Sequence, residues 1–270
     1  MNMKETLPES SVDIDKTLRM AFEQYRSGNL LRAKELYEEI LKIHPDDVNA
    51  LHFLGLIYYE EGNYDSAAWY VKKTLAINRK SPDALFNLAN IYVGQGKLDE
   101  AASYYQEALD LNPDLTEAYV NMGNIFQERG DLDNAISCYR RAIGSDSDIY
   151  EAYVNLGNAV RQKGLLDEAI GLYQKALEIN PGRPEVLNML GAAFHDDNRL
   201  DNAIASYEAA IKLDNNFALA YANLGKALHE KGRLKEAISS YKRSLELDFD
   251  EVDTHVNLAL SLLLSGNFSQ

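Results

Sequence analysis

A turn-forming residue returns on one phase of a 34-residue period eight times along this chain, at Gly28, Gly62, Gly96, Gly130, Gly164, Asn198, Gly232 and Gly266. Besides glycine, asparagine is the residue that best tolerates the left-handed backbone of a tight turn, so position 198 preserves the signal. A second set, Ala33, Ala67, Ala101, Ala135, Ala169, Ala203 and Ala237, keeps the same phase with no insertion or deletion. Such a chain stacks one small unit on the next, and its function resides on an extended surface rather than in an enclosed active site.

Residues 82–115 show how the period becomes structure. Leu85, Leu88, Ala89 and Tyr92 recur at steps of three and four, which predicts a first helix with one apolar face. Gly96 ends it. Leu98, Ala101, Ala102, Tyr105, Ala108 and Leu109 predict a second amphipathic helix that Asn112-Pro113 terminates. Two helices of about 14 residues joined by a short turn lie antiparallel, and neither hides its apolar face alone. Small residues hold one phase of the first helix, at Ala21, Gly55, Ala89, Gly123, Gly157, Gly191, Gly225 and Ala259. Bulky residues of the second helix stand opposite: Tyr37, Tyr105, Tyr139, Tyr173, Tyr207 and Tyr241, with Val71 in the second unit. The small phase marks the place of closest helix approach.

Leu54-Gly55, Tyr58, Gly62, Tyr64 and Ala67 in one unit, and Leu156-Gly157, Gly164, Ala169, Tyr173, Ala176 and Pro181 in another, resemble the tetratricopeptide repeat. The resemblance spans seven repeats, residues 14–47, 48–81, 82–115, 116–149, 150–183, 184–217 and 218–251, preceded by a polar segment, 1–13, and followed by the first helix of an incomplete eighth repeat, 252–270. Arg79, Ser147 and Asn215 depart from the helix-ending proline found at Pro45, Pro113 and Pro181. The family implies an all-α, right-handed α-solenoid, a superhelix whose first helices line a concave groove.

Composition narrows what that groove meets. Lys and Arg total 27 against 42 Asp and Glu, a formal charge of −15, so phosphate backbones and anionic lipid surfaces are repelled. No nucleic acid is expected as partner, whereas a neutral or basic polypeptide is compatible; the acid excess serves equally to keep an exposed solenoid in solution. The single cysteine, Cys138, excludes an internal disulfide and a multi-cysteine metal site. Residues 1–13 lack the apolar core of a secretory signal and no stretch approaches the roughly 20 apolar residues of a membrane span, which makes the cytoplasm the default compartment and membrane insertion unexpected.

The lining can be read by position. Sixth positions are Arg19, Phe53, Asn87, Asn121, Asn155, Met189, Asn223 and Asn257; ninth positions are Phe22, Leu56, Asn90, Asn124, Asn158, Ala192, Lys226 and Leu260. Residues three apart share a helix face, so Asn87 with Asn90, Asn121 with Asn124 and Asn155 with Asn158 form a double asparagine ladder. An amide side chain both donates and accepts, and pairs with a peptide bond irrespective of the ligand's side chains. The ladder resembles that of the repeat arm of O-GlcNAc transferases, which implies capture of extended polypeptide; bonding within the scaffold is the alternative. In the early repeats Phe22, Phe53, Leu56, Tyr59 and Phe86 form an apolar anchor candidate, against the alternative that they are core.

Fifth positions, Leu18, His52, Phe86, Val120, Val154, Asn188, Ala222 and Val256, carry no Lys or Arg, which argues against a clamp for C-terminal carboxylates. His195 and His229 share a phase with Asp196, Asp197 and Glu230 beside them, too few imidazoles without a required spacing for a metal site. No nucleophile elbow, phosphate loop or His-Glu-x-x-His motif is present, so neither catalysis nor a cofactor is expected. Leu262, Leu263 and Leu264 stand in a last helix that lacks its partner, an ending that resembles the run-up to further segments in bacterial repeat-containing glycosyltransferases. Two functions follow as expectations: a peptide-binding adaptor or substrate-recruiting arm of a larger protein, or a scaffold that self-associates through its groove and uncapped terminal helix.

Overall fold

A computed structural model describes residues 13–266. Among them the chain is all-α, a solenoid of stacked helix-turn-helix repeats. The first helices of the repeats are α1 (Ile14–Arg26), α3 (Val48–Glu60), α5 (Pro82–Gly94), α7 (Thr116–Glu128), α9 (Tyr150–Gln162), α11 (Pro184–Asp196), α13 (Ala218–Glu230) and α15 (Val252–Leu264). The second helices are α2 (Leu30–Ile43), α4 (Tyr64–Ile77), α6 (Leu98–Leu111), α8 (Leu132–Ser145), α10 (Leu166–Ile179), α12 (Leu200–Leu213) and α14 (Leu234–Leu247).

The turn phase has the backbone that it requires. Gly62 has φ +74° and Asn198, in the same role, φ +59°. At Gly62 the glycine N–H donates to Tyr59 O at 3.0 Å and Asn63 N–H to Tyr58 O at 2.8 Å, the paired bonds of a Schellman motif that satisfy the last carbonyls of α3. Asn63 then caps α4, its Oδ1 accepting from Ser66 N–H at 3.2 Å. One turn thus closes a helix and opens the next within three residues.

By its contacts the chain divides into two units, one through Ala118 and one from Tyr119. In the first, α1 to α5 each pack on the following helix, and α3 also touches α5. Its core includes Ala21, Ala33, Leu36, Tyr37, Ile40, Ala50, Leu54 and Ile57. In the second, α8 to α14 each pack on the following helix, while α11 touches α13 and α13 touches α15. First helices are therefore neighbours at α3 and α5 in the first unit and at α11, α13 and α15 in the second.

Close approach explains the small-residue phase. A Cβ placed on Gly123 would collide with Tyr139 Cε1, and one on Gly157 would lie 2.7 Å from Tyr173 Cε1. In the second repeat, where valine replaces tyrosine, a Cβ on Gly55 would still lie 2.6 Å from Val71 Cγ2. Cys138 is buried in the same packing, and burial pushes its thiol up to about 11, leaving it protonated and unreactive at neutral pH.

Candidate functional site

The asparagine ladder is held by tyrosines from below. The ninth-position oxygens accept the hydroxyl of the tyrosine that the second helix presses against the small-residue phase: Asn90 Oδ1 from Tyr105, Asn124 Oδ1 from Tyr139 at 2.8 Å, and Asn158 Oδ1 from Tyr173 at 2.7 Å. Tyr139 also reaches Gln127 Oε1 at 2.9 Å. Burial is the main cause that raises the tyrosine hydroxyls, Tyr173 to about 12, so they remain donors across the ordinary pH range.

Sixth-position amides bond sideways, along the array. Asn155 Nδ2 donates to Asn124 Oδ1 at 2.9 Å and Asn223 Nδ2 to Asn188 Oδ1 at 3.0 Å. In the first unit Asn87 Nδ2 lies 3.4 Å from His52 Nε2. In the fifth repeat the sixth-position amide commits its nitrogen and the ninth-position amide its oxygen, which leaves the Asn155 oxygen and the Asn158 NH2 for other partners. Among the described residues, no partner occupies Asn155 Oδ1 or Asn158 Nδ2. This rung therefore offers one acceptor and one donor three residues apart, the complement of a peptide group. Asn121 stands at the sixth position of α7 and has bonding partners of its own. Asn257 lines a cavity of about 410 Å³ with Asn223, Lys226, Glu251 and Asp253.

The early aromatic residues divide. Phe22 and Phe53 meet with ring centroids 5.3 Å apart, and Phe53 also lies parallel to Tyr37 at 5.4 Å and against Tyr25 at 5.4 Å. Phe22 is 42% exposed, whereas Phe53 is half-buried on the core. Phe86 packs on Tyr105 at 5.7 Å, and Tyr59 on Tyr64 at 5.8 Å, so neither joins the Phe22–Phe53 pair by ring contact. Leu56 is half-buried. Leu18, Arg19, Phe22, Tyr37, Asn49 and Phe53 line an open cavity of about 340 Å³. Tyr37 and Asn49 were invisible as lining because they lie off the sixth and ninth positions.

His52 accepts the Asn87 amide only as the neutral imidazole. Burial lowers its pKa, opposed by the Asp83 carboxylate. The unfolded chain then binds a proton before the folded one does. The contribution of His52 is complete above the ordinary histidine value of about 6.5 and declines as the pH falls from there through the lower folded value. Urea midpoints of wild type and His52→Gln should diverge least at pH 5 and most at pH 8; a constant difference would show that His52 titrates alike in both states.

The histidine phase holds no metal constellation. Arg161 Nε pairs with Asp196 at 2.7 Å, and His195 Nε2 lies 3.0 Å from Glu230 Oε2 without the direction of a hydrogen bond. His229 Nδ1 meets Ser261 Oγ at 2.6 Å. Among the described residues no group of three or more His, Cys, Asp or Glu is placed to hold a metal ion. No helix among them is long and apolar enough to cross a membrane.

Known structures share this architecture. The C-terminal part of a TPR repeat-containing protein from Cytophaga hutchinsonii aligns with TM-score 0.75 at 18% identity, covering 89% of this chain and 99% of that one. YrrB, a TPR protein with an unusual peptide-binding site, aligns with TM-score 0.61 at 20% identity, covering 73% of this chain and 97% of its own. MamA aligns with TM-score 0.58 at 26% identity over 62% of this chain and 97% of its own. No curated protein sequence matches. The profile of anaphase-promoting complex, cyclosome, subunit 3 matches residues 27–108. That of the cilia and flagella-associated protein 70 C-terminal domain matches residues 71–266, well over half of the chain, and it is to this family of tetratricopeptide repeat domains that the chain belongs.

Proposed function

We propose that this chain is a non-catalytic protein–protein interaction module that binds extended polypeptide along the face of its first helices. The observation that carries the reading is the alternation of free acceptor and free donor at Asn155 and Asn158, each amide held in orientation by a bond within the scaffold. Preorganised amides lose little freedom when a peptide arrives. They recognise backbone rather than sequence, which suits a recruiting surface. Resemblance of the ladder to the arm of O-GlcNAc transferases supports the narrower role of a substrate-recruiting or adaptor region, and the chain's net charge of −15 favours neutral or basic polypeptide.

The test is the double substitution Asn155→Ala with Asn223→Ala. Both are sixth-position residues and neither anchors a tyrosine, so the fold keeps its Tyr139 and Tyr173 bonds. At about 0.5–1.5 kcal/mol for each lost neutral hydrogen bond, affinity for unstructured peptides of unrelated sequence should fall roughly fivefold to a hundredfold. Unchanged titration curves would return these asparagines to the scaffold. A second reading is self-assembly, favoured by Val256, Leu263 and Leu264 of α15, which are 53%, 54% and 67% exposed. Light scattering across a concentration series decides it, since a constant monomer mass rules it out.

A further inference from the structure

The first repeat breaks a pairing kept in the third, fourth and fifth. There an asparagine oxygen accepts the hydroxyl of the tyrosine 15 residues later, at Asn90 with Tyr105, Asn124 with Tyr139 and Asn158 with Tyr173. In the first repeat the same offset joins Phe22 to Tyr37, and a phenylalanine has no oxygen to offer. Tyr37 is only 1% exposed, and among the described residues its hydroxyl is buried with no hydrogen-bond partner. Such orphaned groups are rare in folded proteins because their desolvation goes uncompensated.

Tyr37 lines the 340 Å³ cavity together with the rings of Phe22 and Phe53 and the exposed residues Arg19 and Asn49. Its volume lies at the small end of the range for ligand pockets. Phe22, at the position of the missing asparagine, is 42% exposed. Exposed side chains change rotamer rapidly, which leaves Phe22 free to rearrange when a ligand arrives.

We propose that this cavity receives one bulky apolar side chain of an extended peptide, and that a backbone carbonyl of that peptide accepts from the Tyr37 hydroxyl. The ligand thereby supplies the amide oxygen that asparagine supplies elsewhere. An amide is the partner of choice because the equivalent tyrosines of the third, fourth and fifth repeats each donate to one. Fatty acids and phosphorylated ligands are disfavoured by the net charge of −15. The exposed Arg19 and Asn49 add donors at the rim for further carbonyls. This subsite rests on the polypeptide-binding reading and assigns it an anchor.

A displayed library of random peptides, selected on the whole chain, supplies the probe. Selected peptides should share one bulky apolar position. Asn49→Trp, which fills the cavity from an exposed rim position, should weaken them roughly tenfold or more. Tyr37→Phe should weaken them severalfold while raising the thermal midpoint of the ligand-free protein, since it removes an unsatisfied hydroxyl. Tyr173→Phe should shift that midpoint the opposite way, because Asn158 loses its donor. A lowered midpoint for Tyr37→Phe, or unchanged affinity for Asn49→Trp, overturns the proposal. If peptides ignore both cavity variants yet lose affinity for Asn155→Ala with Asn223→Ala, polypeptide binding stands and the anchor falls. Failure to select any binder removes both.

Discussion

Tyr139→Ala should lower stability by about 3–5 kcal/mol, the range for truncating a buried aromatic side chain. The ring is fully buried and pressed against the backbone of Gly123, where not even a methyl group fits without displacement. Truncation therefore opens a cavity at the tightest helix contact of the repeat. It also strips Asn124 and Gln127 of the hydroxyl that reaches them at 2.8 and 2.9 Å. A substitution in the core thus loosens an amide on the proposed binding face. Urea denaturation measures the first effect, and the peptide affinity of the folded fraction measures the second. Tyr139→Phe separates them: the ring stays, so most stability stays, while Asn124 loses its orienting bond. Equal stability for Tyr139→Ala and wild type would mean that the helices close over the gap.

How far the sequence carried these features follows from their geometry. The left-handed turns at Gly62 and Asn198 were legible because the requirement is local to one residue. The facing of Gly123 and Tyr139 was legible because both lie within one repeat and recur in others. The tyrosine-to-asparagine bonds were present as a constant 15-residue offset, yet nothing in helix periodicity says that the hydroxyl reaches across to the neighbouring helix. Bonds between repeats were less legible still. Asn155 reaches back 31 residues to Asn124, whereas Asn223 reaches back 35 to Asn188. Which neighbour an amide finds depends on how one helix lies across the next, and the 34-residue period does not specify that. Gly94 is a further case: a Cβ there would lie 2.6 Å from Tyr64 Cε1, a close approach between consecutive repeats that falls outside the glycine phase.

The orphaned hydroxyl of Tyr37 in the first unit and the satisfied ones of Tyr139 and Tyr173 in the second give one repeat position two proposed uses. Where asparagine is present, its amide oxygen accepts the tyrosine hydroxyl, and at Asn158 the NH2 is left over; where phenylalanine replaces it, the scaffold leaves the donor unpaired beside an apolar cavity. Backbone-reading rungs and a side-chain anchor therefore arise from one structural position by a single exchange of residue type. On the proposed reading, affinity without sequence preference belongs to the rungs, and selectivity belongs to the anchor.

Leu156→Ala tests the other consequence of a linear fold. Leu156 is 2% exposed on α9, so its truncation should cost about 2–5 kcal/mol, with the upper part of the range if the cavity does not collapse. In a compact domain such a loss is shared by the whole cooperative unit. In a stack whose stability is close to a sum of repeats and nearest-neighbour interfaces, it is spent locally, since α9 packs on α8 and α10. Hydrogen exchange should therefore show protection lost in α8, α9 and α10, a smaller loss in α11, and none in α1 and α2. The same experiment bears on function, because α9 carries Asn155 and Asn158. A peptide that binds those rungs should restore protection to α9 in the variant, by an amount that grows as the logarithm of ligand concentration above the dissociation constant. Uniform loss of protection from α1 to α15 would instead make the array a single cooperative unit, and would move the cost of any substitution on the binding face to every repeat.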